Sequence, residues 1–130
     1  MPFQGYNPRM AFSDFLNTDL ASQAKIVAAE IDKVYTRTNL AGKNEVVDRL
    51  RRQSAALADK IAAAQKSRVA PDTLRLLEEA ERLSHECVPL IALCLRKGML
   101  SPDLHQRWTE KLSDTARRVE EWKIAADKKP

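Results

Sequence analysis

Residues 71–102 read PDTLRLLEEAERLSHECVPLIALCLRKGMLSP, and this stretch decides the fold. Pro71 suits the first helical position, where a missing N–H costs nothing. Apolar residues then recur at helical spacing for about seven turns. Gly98 falls in a turn before Ser101 and Pro102, which closes the segment. The spacing predicts one helix with both ends encoded.

Two adjacent stripes define its face. Leu77, Ala80, Ser84, Cys87, Ile91 and Cys94 form one, and Leu76, Leu83 and Leu90 the other, with Leu74, Val88 and Leu95 widening it. Such a width fits a helix with more than one neighbour. Pro89 removes a donor to the His85 carbonyl, so a bend is expected within a single helix.

Three further helices surround it. Leu20, Ala24, Val27, Ile31 and Val34 follow a heptad seam and predict a first helix over about 18–37, with Ser13 or Asn17 as its cap. Val47, Leu50, Ser54, Leu57, Ile61 and Ala64 predict a second, capped by Asn44 and ending near Lys66–Val69. Leu104, Trp108, Leu112, Thr115, Val119 and Trp122 predict a fourth over about 102–126, with Ser101 as N-cap and Pro102 in the first position. Short connections then favour an all-α, antiparallel up-down-up-down four-helix bundle over residues 13–126. Residues 1–12, with Phe3, Tyr6 and Phe12 among Pro, Gly and Asn, read as an irregular arm, and 127–130 as a fraying end.

Composition agrees: three glycines, six prolines and 5% aromatics accompany abundant alanine, leucine and charged residues, without alternating β-branched runs. In a straight helix Cys87 and Cys94 lie about 10 Å apart, too far for an intrachain disulfide, and are expected as reduced core residues. The absence of an uninterrupted apolar run near membrane-spanning length and of a signal segment leads to the expectation of a soluble, cytoplasmic protein with no membrane partner.

Catalytic constellations are lacking. His85 and Cys87 are two apart on one helix and point in different directions. A carboxylate-bridged metal bundle needs Glu-x-x-His motifs, and there are none. Arg75 with Glu79 and Glu78 with Arg82 are expected as intrahelical pairs on a solvated face. No enzyme activity, metal or cofactor is expected.

Charge is more informative. The formal net charge is +4, and residues 1–42 and 69–130 are each balanced. The excess lies in 43–68, where Lys43, Arg49, Arg51, Arg52, Lys60, Lys66 and Arg68 face Glu45, Asp48 and Asp59. Arg49, Arg52 and Lys60 are placed on one broad face, with Arg51 to its side. Two meanings fit: a soluble surface, or a weak, salt-sensitive contact to phosphates. Alanines along the same helix and the wide apolar face of residues 71–102 also permit self-association.

Residues 76–122, LLEEAERLSHECVPLIALCLRKGMLSPDLHQRWTEKLSDTARRVEEW, resemble the C-terminal helical hairpin of a family of small four-helix bundles. The shared pattern is a leucine-rich helix, a turn with Gly98, Leu100 and Ser101, and a helix with Trp108, Leu112, Val119 and Trp122. That family includes proteins encoded in bacterial ribosomal RNA intervening sequences and the accessory variability determinants of diversity-generating retroelements. The ribosomal branch often carries an Asn-Ile-Ala-Glu-Gly-like pattern where this chain has KIAAAQKSR at 60–68, a departure that favours the retroelement branch or an unplaced relative. The resemblance implies a non-enzymatic, pentameric homo-oligomer that binds a partner reverse transcriptase and structured RNA or DNA during mutagenic copying. On this chain it implies contacts through Arg49, Arg51, Arg52 and Lys60, and packing through Leu76, Leu83, Leu90 and Trp122.

Overall fold

The computed structural model describes residues 8–127, with side chains from residue 19 onward. Four helices follow in order: α1 (Pro8–Arg37), α2 (Glu45–Lys66), α3 (Ala70–Arg96) and α4 (Pro102–Asp127). Each packs against its neighbours in sequence, and α1 meets α4 to close an antiparallel bundle.

The turns are written locally. After α1 the chain passes through Asn39 in the left-handed region, φ 63°, while Leu40 N–H donates to the Tyr35 carbonyl and Asn39 N–H to that of Thr36. After α3, Gly98 takes φ 73°, Met99 N–H donates to the Cys94 carbonyl and Gly98 N–H to that of Leu95. Both are Schellman endings, which satisfy the last carbonyls and fold Leu40 and Met99 back onto the core. Asn and Gly occupy the left-handed positions of these two endings because the steric cost there is smallest for them.

The opposite ends are capped as the sequence predicts. Asn44 Oδ1 accepts from Val47 N–H at 3.1 Å, and Ser101 Oγ from Leu104 N–H at 3.2 Å. The entry to α3 is plainer: Val69 makes no side-chain cap, and Ala70 and Pro71 open the helix.

All six residues of the first α3 stripe are buried, as is Leu83, and Leu76 and Leu90 are half-buried against the core. The helix runs through Pro89 as one element. Pro89 and His85 are both exposed, so water can replace the missing donor. Tyr35 and Trp108, both fully buried, meet edge to face with centroids 6.1 Å apart. Trp122 is half-buried against the same core.

Three expectations need correction. First, α1 starts at Pro8, so residues 8–12 are helical and Ser13 and Asn17 lie within the helix instead of capping it. Pro8 occupies a first-turn position where its missing N–H is harmless. Second, α4 includes Asp127. Residues 1–7 of the expected arm and 128–130 of the expected fraying end lie outside the described residues. Third, Arg75 reaches Asp72 at 3.7 Å instead of Glu79, and Arg82 bonds Glu86 at 2.8 Å instead of Glu78. Glu79 is taken by Lys60 of α2 at 2.8 Å, a partner across helices that no intrahelical spacing reveals.

The α1–α4 seam has its own character. Here Glu30 Oε1 accepts from Trp108 Nε1 at 2.6 Å and from the Arg107 guanidinium. Gln23 Nε2 donates to Asp114 and Thr115, and Asp19 pairs with Arg118 at 3.1 Å. Burial pushes the Glu30 carboxyl upward, but the bonds from Arg107 and Trp108 and the charges of Arg107 and Lys33 outweigh it and hold its pKa below the ordinary value.

Candidate nucleic-acid interface

The seven basic residues singled out on α2 and its ends sort into two groups. Arg51 and Lys60 are tethers. Arg51 donates from Nε to Asp32 Oδ1 at 2.9 Å, approaches the same oxygen through a second nitrogen at 2.6 Å, and bonds Asp48 at 3.1 Å. Asp48 in turn accepts from Gly42 N–H at 2.7 Å. The Gly42 amide, with lesser contributions from Arg51 and Arg52, keeps the Asp48 pKa low despite some desolvation. These bonds fasten the α1–α2 turn to both of its helices. Lys60 likewise binds α3, and its hydrogen bond to Glu79 is the main reason that carboxyl lies below its ordinary range.

Lys43, Arg49, Arg52, Lys66 and Arg68 form the second group. Each is exposed, and among the described residues none joins an ion pair. They do not make one patch. Lys43 and Lys66 sit at opposite ends of α2, and at about 1.5 Å per residue the helix separates them by roughly 35 Å. Lys43, Arg49 and Arg52 belong to the end formed by the α1–α2 and α3–α4 turns, whereas Lys66 and Arg68 belong to the other.

The same topology gathers cations that charge counting along the chain overlooks. The pairs Lys60–Glu79 and Gln53–Glu86 fix the α2–α3 register and put Lys43 level with Arg96. The pair Arg51–Asp32 fixes the α1–α2 register and brings Arg37 to the same level. Arg37, Arg96 and Lys97 are all exposed. In sequence they are balanced by acids such as Asp19, Glu78 and Glu120, which the fold carries elsewhere. Only the register could have identified them.

Other chemistry is sparse. Cys87 and Cys94 are reduced and buried, and desolvation, with a small contribution from Glu86, pushes the Cys87 thiol up to about 12. His85 is exposed, so it diverges from Cys87. Among the described residues no three His, Cys, Asp or Glu side chains are placed to hold a metal. A shallow recess of about 150 Å³ lies at the far end between Leu74, Glu78, Lys123, Ile124 and Asp127, but Lys123 is engaged by Glu81 at 2.7 Å. Among the described residues no helix is long and apolar enough to cross a membrane.

No protein-family model matches the chain, and no curated protein matches it. Among solved structures it is similar to a protein of unknown function from the S23 ribosomal protein family of Bacteroides thetaiotaomicron. The TM-score is 0.75 at 11% identity, over 84% of this chain and 98% of the other. At that identity, the likeness establishes a shared all-α, four-helix-bundle fold.

Proposed function

We propose that this protein works by contact and not by catalysis, as a small helical interaction module. The carrying observation is the division of its basic residues. Arg51 and Lys60 are consumed in fastening helices, while Arg49, Arg52, Lys43, Lys66 and Arg68 are left exposed and unpaired among the described residues. Cations with no internal task are available to a partner. Exposed Ala55 and Ala63, with half-buried Ala62, also leave room on α2 for a neighbouring backbone. The direct test is solution mass at micromolar concentration, compared between the wild type and Arg49→Glu/Arg52→Glu, together with binding of a labelled structured RNA at several salt concentrations. A wild type that is monomeric and inert toward RNA at low salt defeats both kinds of contact.

A finer reading, favoured by the same exposed cations and by the hairpin resemblance at 76–122, is an accessory to a reverse transcriptase. In this role the chain forms a ring-like homo-oligomer, pentameric by resemblance, and holds template RNA or cDNA against the polymerase during mutagenic copying, in the cytoplasm. Co-purification with a reverse transcriptase encoded beside it tests this role. Absence of such a neighbouring gene removes its basis while leaving the interaction module intact.

A further inference from the structure

We propose that the bundle end formed by the α1–α2 and α3–α4 turns is the docking surface for the phosphate backbone of a nucleic acid. This rests on the polyanion-contact reading and gives it a location and a composition. Arg37 and Arg96 end α1 and α3, Lys43 and Lys97 stand in the two turns, and Arg49 and Arg52 continue the surface along the first turns of α2. All six are exposed, and among the described residues none is in an ion pair. Three of the six, Arg37, Arg96 and Lys97, lie outside the basic segment 43–68.

Half of the acids at this end are occupied. Asp32 and Asp48 are held by Arg51 and Glu30 by Arg107, leaving Glu45, Asp103 and Glu110 outside any ion pair among the described residues, against the six cations. The backbone adds little net field, because two helix N-termini and two C-termini meet at the same end and their dipoles oppose. Side chains therefore set the potential. At the far end Asp72 is paired with Arg75, and Lys66 and Arg68 share the surface with Glu78 and Asp127, which dilutes their charge.

Nucleic acid fits better than an acidic protein. Protein interfaces centre on apolar or aromatic anchors, whereas phosphate contacts need only fixed cations. Among the described residues the large exposed apolar side chains are Ile26, midway along α1, and Val69 and Ile124 at the far end, so none of these lies on the basic end. Among the described residues no exposed aromatic stands there for bases to stack on, so binding is indifferent to sequence and strongly dependent on salt.

The test uses a labelled RNA hairpin and three proteins of the full chain: wild type, Lys43→Glu/Arg96→Glu/Lys97→Glu, and the far-end control Lys66→Glu/Arg68→Glu. The expected result is a loss of about tenfold or more for the first variant, with a salt slope shallower by about two to three, and a change under about threefold for the control. Should the Glu triple fail to fold by circular dichroism, the Gln triple at the same positions replaces it, and wild-type affinity in that protein overturns the assignment. Equal loss in the far-end control overturns the location while polyanion binding stands. No binding by the wild type at low salt removes the polyanion reading itself. Displacement of the RNA by poly-glutamate at equal charge overturns the choice of nucleic acid over acidic protein.

Discussion

Replacing Glu30 probes the clasp between α1 and α4. Its Oε1 accepts from Nε1 of Trp108, a side chain with no solvent exposure, so in Glu30→Ala that donor is left buried without a partner. An orphaned buried donor costs about 1–3 kcal/mol. The half-exposed Arg107 pair adds about 0.2–1 kcal/mol, for a total of about 1–4 kcal/mol, centred on about 2.5. For a chain of this length that lowers the melting temperature by about 10 °C. Glu30→Gln keeps an acceptor for Trp108 and loses only the charge, so about 1 kcal/mol or less is expected. Arg107→Ala should cost less than Glu30→Ala because Trp108 keeps its acceptor. Thermal and urea unfolding of the three variants measure the order. Equal losses in Glu30→Ala and Arg107→Ala would refute the assignment of the main cost to the tryptophan donor.

Acid should weaken the whole set of carboxylate ties. Glu30, Asp48, Glu79 and Asp114 all have folded pKa values below their ordinary 4.5 or 3.8. A depressed folded pKa contributes stability that is present above the unfolded value and lost as pH falls through the folded one, so urea midpoints should drop progressively below about pH 4.5. Flat midpoints from pH 6 to about pH 3 would contradict this. Arg51→Ala should cost about 1 kcal/mol because it frees both Asp32 and Asp48, whereas Arg49→Ala/Arg52→Ala should stay within about 0.5 kcal/mol in stability and act on binding alone. Melting curves beside RNA titrations separate the two effects. Cys87 and Cys94 should resist a thiol reagent in the native protein and react readily in denaturant, since burial raises both thiols and only the thiolate attacks. Fast native labelling would show that the α3 core opens more readily than its packing implies.

Much of the fold was legible because its determinants are local. The α3 stripe, the Asn44 and Ser101 caps and the Gly98 turn each depend on residues within a few positions of one another, and each is found where periodicity and side-chain chemistry put it. The start of α1 was not legible, since Pro, Gly and Asn in residues 1–12 suggested an arm while Pro8 is compatible with a first turn. The candidate site was only half legible. Exposure of Arg49 and Arg52 follows from their position opposite Leu50 and Leu57, but the partners of Arg51 and Lys60 belong to other helices. Arg37, Arg96 and Lys97 join Lys43 only through the register of three helices, information that no segment-by-segment charge sum contains.

The polar clasp between α1 and α4 also bears on the order in which the molecule assembles. The other three interfaces join helices that follow one another in the chain, whereas Glu30 and Trp108 are separated by 78 positions. Closing the longer loop costs more chain entropy, so the hairpins of successive helices should form first and α1 should lock onto α4 late. Stopped-flow chevrons of Glu30→Ala should then show the penalty almost wholly in faster unfolding, with the folding limb unmoved. Equal slowing of the folding limb would instead place the clasp in the folding nucleus. In kinetic terms Glu30 acts as a latch: the bundle can assemble without it, and it sets how long the folded protein lasts.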